Sequence, residues 1–164
     1  MTTPSFKTAD LMDAHPASRS CATQFRSFGG RSAFAGPIRT VRCLDDNALI
    51  RRTLEQTTEG DVLVVDGGGS LARALVGDNL AGIAARNGWA GIVVNGAIRD
   101  VEAIKPIDLG LLALGTNPHR SDRQATGEVD IPVSFGGVEF TPGAWLYADA
   151  DGVIVSATAL HALA

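Results

Sequence analysis

Val62-Leu63-Val64-Val65 is followed directly by Asp66-Gly67-Gly68-Gly69-Ser70, and this junction of an apolar run with a glycine turn decides the fold class. Because the apolar run does not alternate with polar residues, it predicts a strand that is covered on both faces of a sheet. The glycines cannot belong to a regular element, so the strand ends there. We expect this exit to let the backbone pass close to a ligand or a neighbouring chain.

The segment after the glycine turn predicts a helix and a second buried strand. Residues 76, 80, 83 and 84 form one apolar stripe on a helix, and Asn87-Gly88 supplies a left-handed stop. We expect the helix to begin near Leu75 with Gly77 in its first turn, because a longer helix would carry this glycine in its interior at a cost of about 1 kcal/mol. Residues 91–95 predict the next strand, so strand, helix and strand make a right-handed βαβ unit.

The other segments predict a single α/β domain over residues 1–164 with a β-rich C-terminal third. The chain has 164 residues, of which 45% are apolar, and this suits one core that buries roughly 70% of the unfolded surface. The periodicities predict helices at 8–15 and 45–60 and a short one ending at Ile104, a strand at 38–43, a further apolar segment at 109–114, and hairpins at 133–140 and 145–155.

Charge and cysteine spacing argue against several classes of protein. Fourteen basic and eighteen acidic residues give a formal charge of −4 without a long run of either sign, which argues against a nucleic-acid face. Cys21 and Cys43 lack Cys-x-x-Cys spacing, so we expect free thiols in a reducing cytosol. Residues 1–10 are polar, and no apolar run approaches the ~20 residues of a membrane span. The sequence therefore predicts a cytoplasmic protein.

Common cofactor and metal motifs receive little support. The glycine turn lacks the G-x-G-x-x-G pattern of a dinucleotide site, which should lead directly into a helix. The histidines lack the spacing of zinc ligands, and no G-x-S-x-G elbow marks a nucleophilic serine. Asp149-x-Asp151-Gly152 is too short for an EF-hand loop and predicts a turn. The histidines are His15, His119 and His161.

Asp78, followed after twenty residues by Arg99-Asp100, is the strongest candidate for a functional site. Asp78 lies near the start of the predicted helix, and Arg99-Asp100 follow the strand at 91–95 through the turn Gly96-Ala97-Ile98. A helix start and the end of the next strand can face one crevice, which would gather two carboxylates, a guanidinium and free backbone amides. Two alternatives stay open: a solvated surface ion pair at Arg99-Asp100, and a charge at Asp78 that only favours a helix N-terminus.

Five blocks of the sequence, in order along the chain, carry a likeness to a known family. They are Phe28-Gly29-Gly30-Arg31, residues 62–70, Ala74-Leu75-Val76-Gly77-Asp78, Gly96-Ala97-Ile98-Arg99-Asp100 and Tyr147-Ala148-Asp149. Together they closely resemble the RraA family, the regulators of ribonuclease E activity. The resemblance also extends to the metal-dependent 4-hydroxy-4-methyl-2-oxoglutarate aldolases of the wider RraA-like group, which carry the same Asp-x20-Arg-Asp pattern.

The resemblance implies a fold, an assembly and roles for individual residues. The fold would be a compact α/β/β swivelling domain, assembled as a homotrimer or a hexamer with sites near the subunit boundaries. Gly77, Asp78, Asn79 and Leu80 would present backbone amides to a pyruvate carboxylate, while Arg99 would contact a substrate oxygen. Asp100 would ligate a divalent cation, Mg²⁺ or Mn²⁺, and Asp78 would hold a water bound to that ion.

We therefore expect a metal-dependent lyase that acts on 2-oxo acids through a pyruvate enolate. Aldol cleavage of 4-hydroxy-4-methyl-2-oxoglutarate and decarboxylation of oxaloacetate would share one site, with the cation as Lewis acid and Arg99 opposing the enolate charge. The alternative, implied by the family name, is a non-catalytic regulator whose ring binds ribonuclease E or a similar partner. The two functions can coexist.

Overall fold

The structure is a computed structural model that describes residues 5–160, and it alternates short helices with strands along the chain. Its helices are α1 (Thr8–Ala14), α2 (Ala48–Leu54), α3 (Asp78–Arg86) and α4 (Val101–Ile104). Its strands are β1 (Arg19–Ser20), β2 (Arg26–Ser27), β3 (Phe34–Arg42), β4 (Val62–Asp66), β5 (Ala74–Val76), β6 (Gly91–Ile98), β7 (Gly110–Thr116), β8 (Glu128–Val129), β9 (Val133–Phe135), β10 (Val138–Phe140), β11 (Trp145–Asp149) and β12 (Gly152–Ser156).

The centre of the large sheet is parallel. β4 pairs in parallel with β3 on one side and β6 on the other, and β6 also pairs in parallel with β7 and with β5. Antiparallel strands extend this centre: β11, β12 and β1 continue from β3, and β2 lies beside β7. The hairpin of β9 and β10 forms a separate two-stranded sheet. The chain therefore has a mixed α/β fold in one domain, as the sequence predicts.

Alternate residues of β4 point into two different cores, which confirms that this strand is covered on both faces. Leu63 and Val65 pack with apolar residues of α2, α3 and α4, whereas Val62 and Val64 pack with residues of β9, β10, β11 and β12. All four side chains are completely buried. Since side chains alternate across a strand, the parallel strands lie between a helical layer and a second layer of strands.

The structure corrects the predicted start of the central helix. Residues 74–76 form β5, Gly77 is the N-cap residue, and α3 begins at Asp78 rather than near Leu75. Leu75 and Val76 are buried, and β5 pairs with the end of β6. The spacing of Val76 matches the apolar stripe of a helix, but its pairing within the sheet makes it part of a strand. The predicted stop is confirmed, since Gly88 has φ +86 just after the helix.

The predicted turn at residues 96–98 is also wrong, because β6 continues through Ile98. Ala97 pairs with Ala74 of β5 on one side and Gly115 of β7 on the other. Neighbours on both sides satisfy the backbone hydrogen bonds, so the strand is longer than its run of branched residues indicates. The turn that carries Arg99 and Asp100 therefore begins directly after Ile98.

Several other predictions are confirmed, and one helix is shorter than expected. The two hairpins form as predicted, and residues 149–152 make the turn between β11 and β12. α2 ends at Leu54, six residues before the predicted end at Gly60, which has φ +97. Cys21 and Cys43 are free thiols. Among residues 5–160, no helix is long and apolar enough to cross a membrane.

Candidate functional site

The ends of three neighbouring strands meet at one cleft. Gly77 and the first turn of α3 follow β5, Arg99 and Asp100 follow β6, and residues 117–125 follow β7. These segments line a cleft of about 410 Å³ together with the start of α2. All six residues that the sequence singled out line this cleft: Gly77, Asp78, Asn79, Leu80, Arg99 and Asp100.

Asp100 links the two halves of the predicted site. Its Oδ2 accepts a hydrogen bond from the backbone N–H of Asp78 at 3.1 Å. Asp100 has φ +62 and ψ 41, a left-handed conformation that aspartate tolerates better than most residues. This conformation directs the carboxylate at the N-terminus of α3, where the helix dipole stabilises negative charge.

Gly77 is required by the close approach of this carboxylate. A Cβ atom added at Gly77 would lie 2.6 Å from Oδ2 of Asp100 and 3.5 Å from Cγ of Arg99. The backbone of Gly77 has φ −128, which any residue adopts, so the constraint is one of space alone. A side chain at this position would displace the carboxylate from the helix N-terminus.

The first turn of α3 keeps two backbone donors for a ligand. The first N–H groups of a helix have no acceptor within the helix. In α3, the N–H of Asp78 donates to the carboxylate of Asp100. No residue in the described part of the chain accepts a hydrogen bond from the N–H of Asn79 or Leu80. The N–H of Asp78 is thus already hydrogen-bonded, whereas the N–H groups of Asn79 and Leu80 remain available to an anion at the N-terminus of α3.

Arg99 is half-buried and held at both ends. Its backbone N–H donates to the carbonyl oxygen of Val76 at 3.0 Å, and its Nη1 donates to the carbonyl oxygen of Pro118 at 3.2 Å. An arginine carries five N–H donors, so this contact leaves others for a ligand. The guanidinium therefore lies between α3 and the segment after β7.

Residues 119–125, which we call the strap, form a wall of the cleft that was not predicted from the sequence. The backbone N–H of Ala74 donates to His119 O at 2.7 Å, and that of Asp122 donates to Asp45 O at 2.9 Å. Arg120, Ser121 and Arg123 of the strap line the cleft. These residues come after the end of β7, as Arg99 comes after the end of β6. Because neighbouring parallel strands end at the same edge of a sheet, their position after β7 could have indicated that they line the cleft.

A buried carboxylate anchors the strap. Asp46 is 2% exposed and accepts hydrogen bonds from the backbone N–H groups of Gln124 at 2.7 Å, Ala125 at 3.2 Å and Ala48 at 3.1 Å. Burial alone would raise the pKa of Asp46, but these donors, together with the N–H of Thr126, outweigh it and hold the pKa below its usual value. Asp46 is therefore charged at neutral pH and ties the strap to the start of α2.

The cleft carries an excess of positive charge. Four arginines line it, Arg51, Arg99, Arg120 and Arg123, against the carboxylates of Asp78 and Asp100. The whole chain has a formal charge of −4, so the cleft is opposite in sign to the molecule around it. A concave site with this balance attracts small anions.

The carboxylates of the cleft are too few for a closed metal site within the described residues, but they could hold a hydrated cation. Within the described residues, no group of three or more His, Cys, Asp or Glu side chains is arranged to hold a metal ion. Mg²⁺ and Mn²⁺ differ from zinc here, because they bind one or two carboxylates and complete their coordination with water and substrate oxygens. One carboxylate oxygen of Asp100 accepts a hydrogen bond from the N–H of Asp78, and no described residue donates to the other oxygen. Asp100 could therefore bind such an ion.

The remaining motifs lie away from this chemistry or adopt other roles. The glycine segment leads to β5 and not directly into a helix, so it does not form the turn of a dinucleotide site. The N–H groups of Gly67 and Gly69 instead both donate to Asn95 O. His15 and His119 do not line the cleft, and His161 lies outside the described residues.

A family model and several solved structures match this chain. The model, described as RraA-like (Aldolase/RraA), matches residues 8–155. A Thermus thermophilis structure, described as the RNA-processing inhibitor RraA, is 48% identical with a TM-score of 0.92, and the match covers 94% of each chain.

Two further structures carry different descriptions. A Geobacillus kaustophilus HTA426 structure, described as an S-adenosylmethionine: 2-dimethylmenaquinone methyltransferase, is 46% identical with a TM-score of 0.93, covering 94% of this chain and 96% of that chain. Streptomyces coelicolor RraAS2, described as an unusual member of the RNase ES inhibitor RraA family, is 31% identical with a TM-score of 0.76, covering 92% and 80%. The described functions therefore differ among structures that share this fold.

Proposed function

This chain belongs to the RraA-like family, and we propose that it is a divalent-metal-dependent lyase that cleaves 2-oxo acids to pyruvate. The observation that carries the proposal is the hydrogen bond between Asp78 N–H and Asp100 Oδ2 inside a positively charged cleft. It brings a carboxylate, a guanidinium and open helix amides within reach of one small anion. The substrates that we propose are 4-hydroxy-4-methyl-2-oxoglutarate and oxaloacetate.

Binding of the substrate's first carboxylate is the task of α3 and Arg99. The free N–H groups of Asn79 and Leu80 point out of the helix N-terminus, which favours negative charge. Arg99 adds a charged donor beside these N–H groups, because its backbone N–H donates to the carbonyl oxygen of Val76 at the end of β5. We infer that these groups orient the 2-oxo acid so that its keto oxygen lies towards Asp100.

Asp100 would hold the cation, Mg²⁺ or Mn²⁺, with water and substrate oxygens as the other ligands. When bound, such an ion would polarise the keto oxygen and oppose charge that develops on it. Arg99 would oppose the same charge from the protein side, as donors do in an oxyanion hole. Asp100 is held for this role by the Asp78 amide, which occupies one of its oxygens and fixes the direction of the other.

Asp78 supplies a carboxylate for proton transfer in aldol cleavage. In that reaction the C3–C4 bond breaks, its electron pair stays on C3 to form the pyruvate enolate, and the C4 hydroxyl loses a proton as its oxygen becomes a carbonyl. We propose that Asp78, exposed at the start of α3, accepts this proton directly or through a water molecule. Oxaloacetate needs no such base, because the same bond breaks with loss of CO₂.

Pyruvate release with and without a chelator tests the proposal. Asp100→Asn keeps an oxygen that can accept the Asp78 N–H but removes the charge, so it separates metal binding from the local fold. We expect EDTA and Asp100→Asn each to lower Mg²⁺-dependent turnover by roughly 100-fold or more. Glu102→Gln is the control, because Glu102 is exposed on α4 outside the cleft. Wild-type rates with EDTA, or in Asp100→Asn, would refute the metal role.

A second candidate function is the regulation of a ribonuclease by direct binding. The similarity to the Thermus inhibitor favours it, and a protein surface of this kind needs no catalysis. Binding to purified ribonuclease E, measured by calorimetry, tests it alongside the pyruvate assay. Tight binding without metal-stimulated pyruvate release would favour the regulator over the lyase, and both results together would support a protein with two functions.

We propose that the protein acts as a homotrimer or hexamer in the cytoplasm. Two exposed leucines next to the glycine loop support an assembly, Leu44 at 65% exposure and Leu71 at 49%. The free thiols of Cys21 and Cys43 support a reducing compartment. Light scattering on the purified protein gives its mass directly, and a monomer at micromolar concentration would contradict the proposed assembly.

A further inference from the structure

Two arginines of the cleft have no task in the reaction proposed above. Arg120 and Arg123 line the same cleft as Arg99 and Asp100, and both are exposed. Neither side chain forms a hydrogen bond or ion pair with any residue in the range 5–160, whereas Arg51, on the same cleft, pairs with Glu55 at 3.1 Å. Unpaired guanidinium groups in a concave site are suited to a carboxylate, which their planar donors can bind at two points.

The backbone that presents these arginines is fixed on both sides. Ser121 lies between them, is 4% exposed, and its Oγ donates to Ala74 O at 2.7 Å. The buried Asp46 holds the N–H groups of Gln124 and Ala125 just beyond Arg123. Because the strap is already ordered, binding an anion there costs side-chain entropy only, and not the ordering of a loop.

The cleft therefore carries two sets of groups that can bind an anion. One consists of Arg99 with the amides of Asn79 and Leu80, and the other of Arg120 with Arg123 on the strap. A cleft of about 410 Å³ lies within the usual range of small-molecule sites and has room for more than pyruvate. Resting on the proposed lyase function, we propose that Arg120 and Arg123 bind a carboxylate on the fragment that leaves, and so select aldol substrates that carry one.

The chemistry of the two reactions decides which carboxylate this is. In decarboxylation of oxaloacetate, the distal carboxylate loses its charge as CO₂ departs. Arginines that bind this carboxylate would therefore stabilise the ground state more than the transition state. In aldol cleavage of 4-hydroxy-4-methyl-2-oxoglutarate the leaving fragment keeps its carboxylate throughout. The arginines would therefore bind this carboxylate equally well in the ground state and in the transition state, which lowers KM without slowing the chemical step.

The double variant Arg120→Ala/Arg123→Ala separates the two reactions. We expect kcat/KM for aldol cleavage to fall about 10- to 100-fold, mainly through KM, since each charge-assisted hydrogen bond is lost. We expect kcat for oxaloacetate to stay unchanged or to rise. Arg86→Ala is the matched control, because Arg86 is an exposed arginine at the far end of α3, outside the cleft. Equal losses for both substrates, or no loss in aldol cleavage, would overturn the assignment.

Calorimetry with Mg²⁺ present tests the same subsite without turnover. The probes are pyruvate, which has one carboxylate, and 2-oxoglutarate, which has two. We expect the wild type to bind 2-oxoglutarate about tenfold or more tightly than pyruvate, and the double variant to bind both alike with pyruvate affinity unchanged. Equal affinity in the wild type would overturn the subsite. A retained preference in a protein that releases no pyruvate would refute the lyase and leave the subsite standing.

Discussion

The backbone N–H of Asp78 donates to Oδ2 of Asp100 at 3.1 Å, although the two residues are separated by 22 positions in sequence. This bond joins the first turn of α3 to the turn after β6. Asp100 adopts φ +62 to make it, and the helix dipole compensates by stabilising its charge. The position of the Asp100 carboxylate is thus fixed by contacts within the protein itself.

Gly77→Ala should impair activity much more than stability. The added Cβ would lie 2.6 Å from Asp100 Oδ2 and would force the carboxylate away from the helix N-terminus. Since φ at Gly77 is −128, the backbone tolerates alanine, and we expect a stability loss of only about 1 kcal/mol. A catalytic group displaced by ~1 Å costs roughly 100-fold in rate, which steady-state kinetics with oxaloacetate will measure.

Gly82→Ala provides the control for this variant in the same helix. Its Cβ would meet only the terminal Nη1 of Arg86, at 3.2 Å, and that side chain can move. Alanine in a helix interior is favoured over glycine by about 1 kcal/mol, so urea unfolding should show a gain in stability with unchanged activity. If both alanine variants behaved alike, the contact of residue 77 with Asp100 would not be the cause.

Arg99→Lys should lower kcat more than it raises KM. Lysine keeps the positive charge but cannot donate to Pro118 O and to substrate with the planar geometry of arginine. We expect kcat to fall about 10- to 100-fold for the lysine variant and further for Arg99→Gln, because in the proposed lyase the charge that Arg99 would oppose develops in the transition state. A rise in KM with kcat unchanged would assign Arg99 to ground-state binding alone.

The central strands were predictable from the sequence because their signals are local. The run Val62–Val65 shows no alternation, and the structure buries both of its faces. The boundaries around the site were less predictable, since residues 74–76 become strand by pairing with the end of β6, and residues 96–98 by pairing with both β5 and β7. Apolar spacing cannot distinguish such paired residues from the first turn of a helix.

Half of the cleft was predictable, and the other half was not. Asp78, Arg99 and Asp100 stand out because they follow apolar segments that end at one edge of the sheet. Arg120 and Arg123 lie in a polar segment that has no periodicity of its own. Their position depends on long-range contacts, above all on Asp46, which lies 78 residues before Gln124 in the chain.

Asp46→Asn should destabilise the protein at neutral pH and much less in acid. Its buried carboxylate has a lowered pKa in the folded state, so the charge stabilises the fold above pH ~4 and this contribution is lost as pH falls through that lowered pKa. We expect a loss of about 1–3 kcal/mol at neutral pH from urea unfolding. Asp13→Asn, an exposed position on α1, is the control and should change stability by less than about 0.5 kcal/mol.

The pH dependence is what distinguishes this explanation from a general packing defect. The difference in unfolding free energy between wild type and Asp46→Asn should shrink steadily below pH ~4. A difference that stayed constant down to pH ~2 would mean that the charge of Asp46 contributes nothing. Loosening of the strap should also weaken 2-oxoglutarate binding while pyruvate binding is preserved.

Cys21 and Cys43 should differ in reactivity towards a thiol reagent. Burial, with added repulsion from Asp46, Asp66 and Asp45, raises the pKa of the Cys43 thiol to about 12, and Cys43 is only 4% exposed. Cys21 is partly exposed. In the folded protein at pH ~8 we expect one fast equivalent of modification, with the second appearing on unfolding. Rapid modification of a Cys21→Ser variant would contradict the buried position of Cys43.

A crystal structure with Mg²⁺ and pyruvate would show whether one cleft gathers Asp100, Arg99 and the amides of α3 around a 2-oxo acid. We expect the ion at the Asp100 carboxylate and the pyruvate carboxylate within hydrogen-bonding distance of the N–H groups of Asn79 and Leu80. Pyruvate bound elsewhere, or an ion that leaves Asp100 without contact, would contradict it.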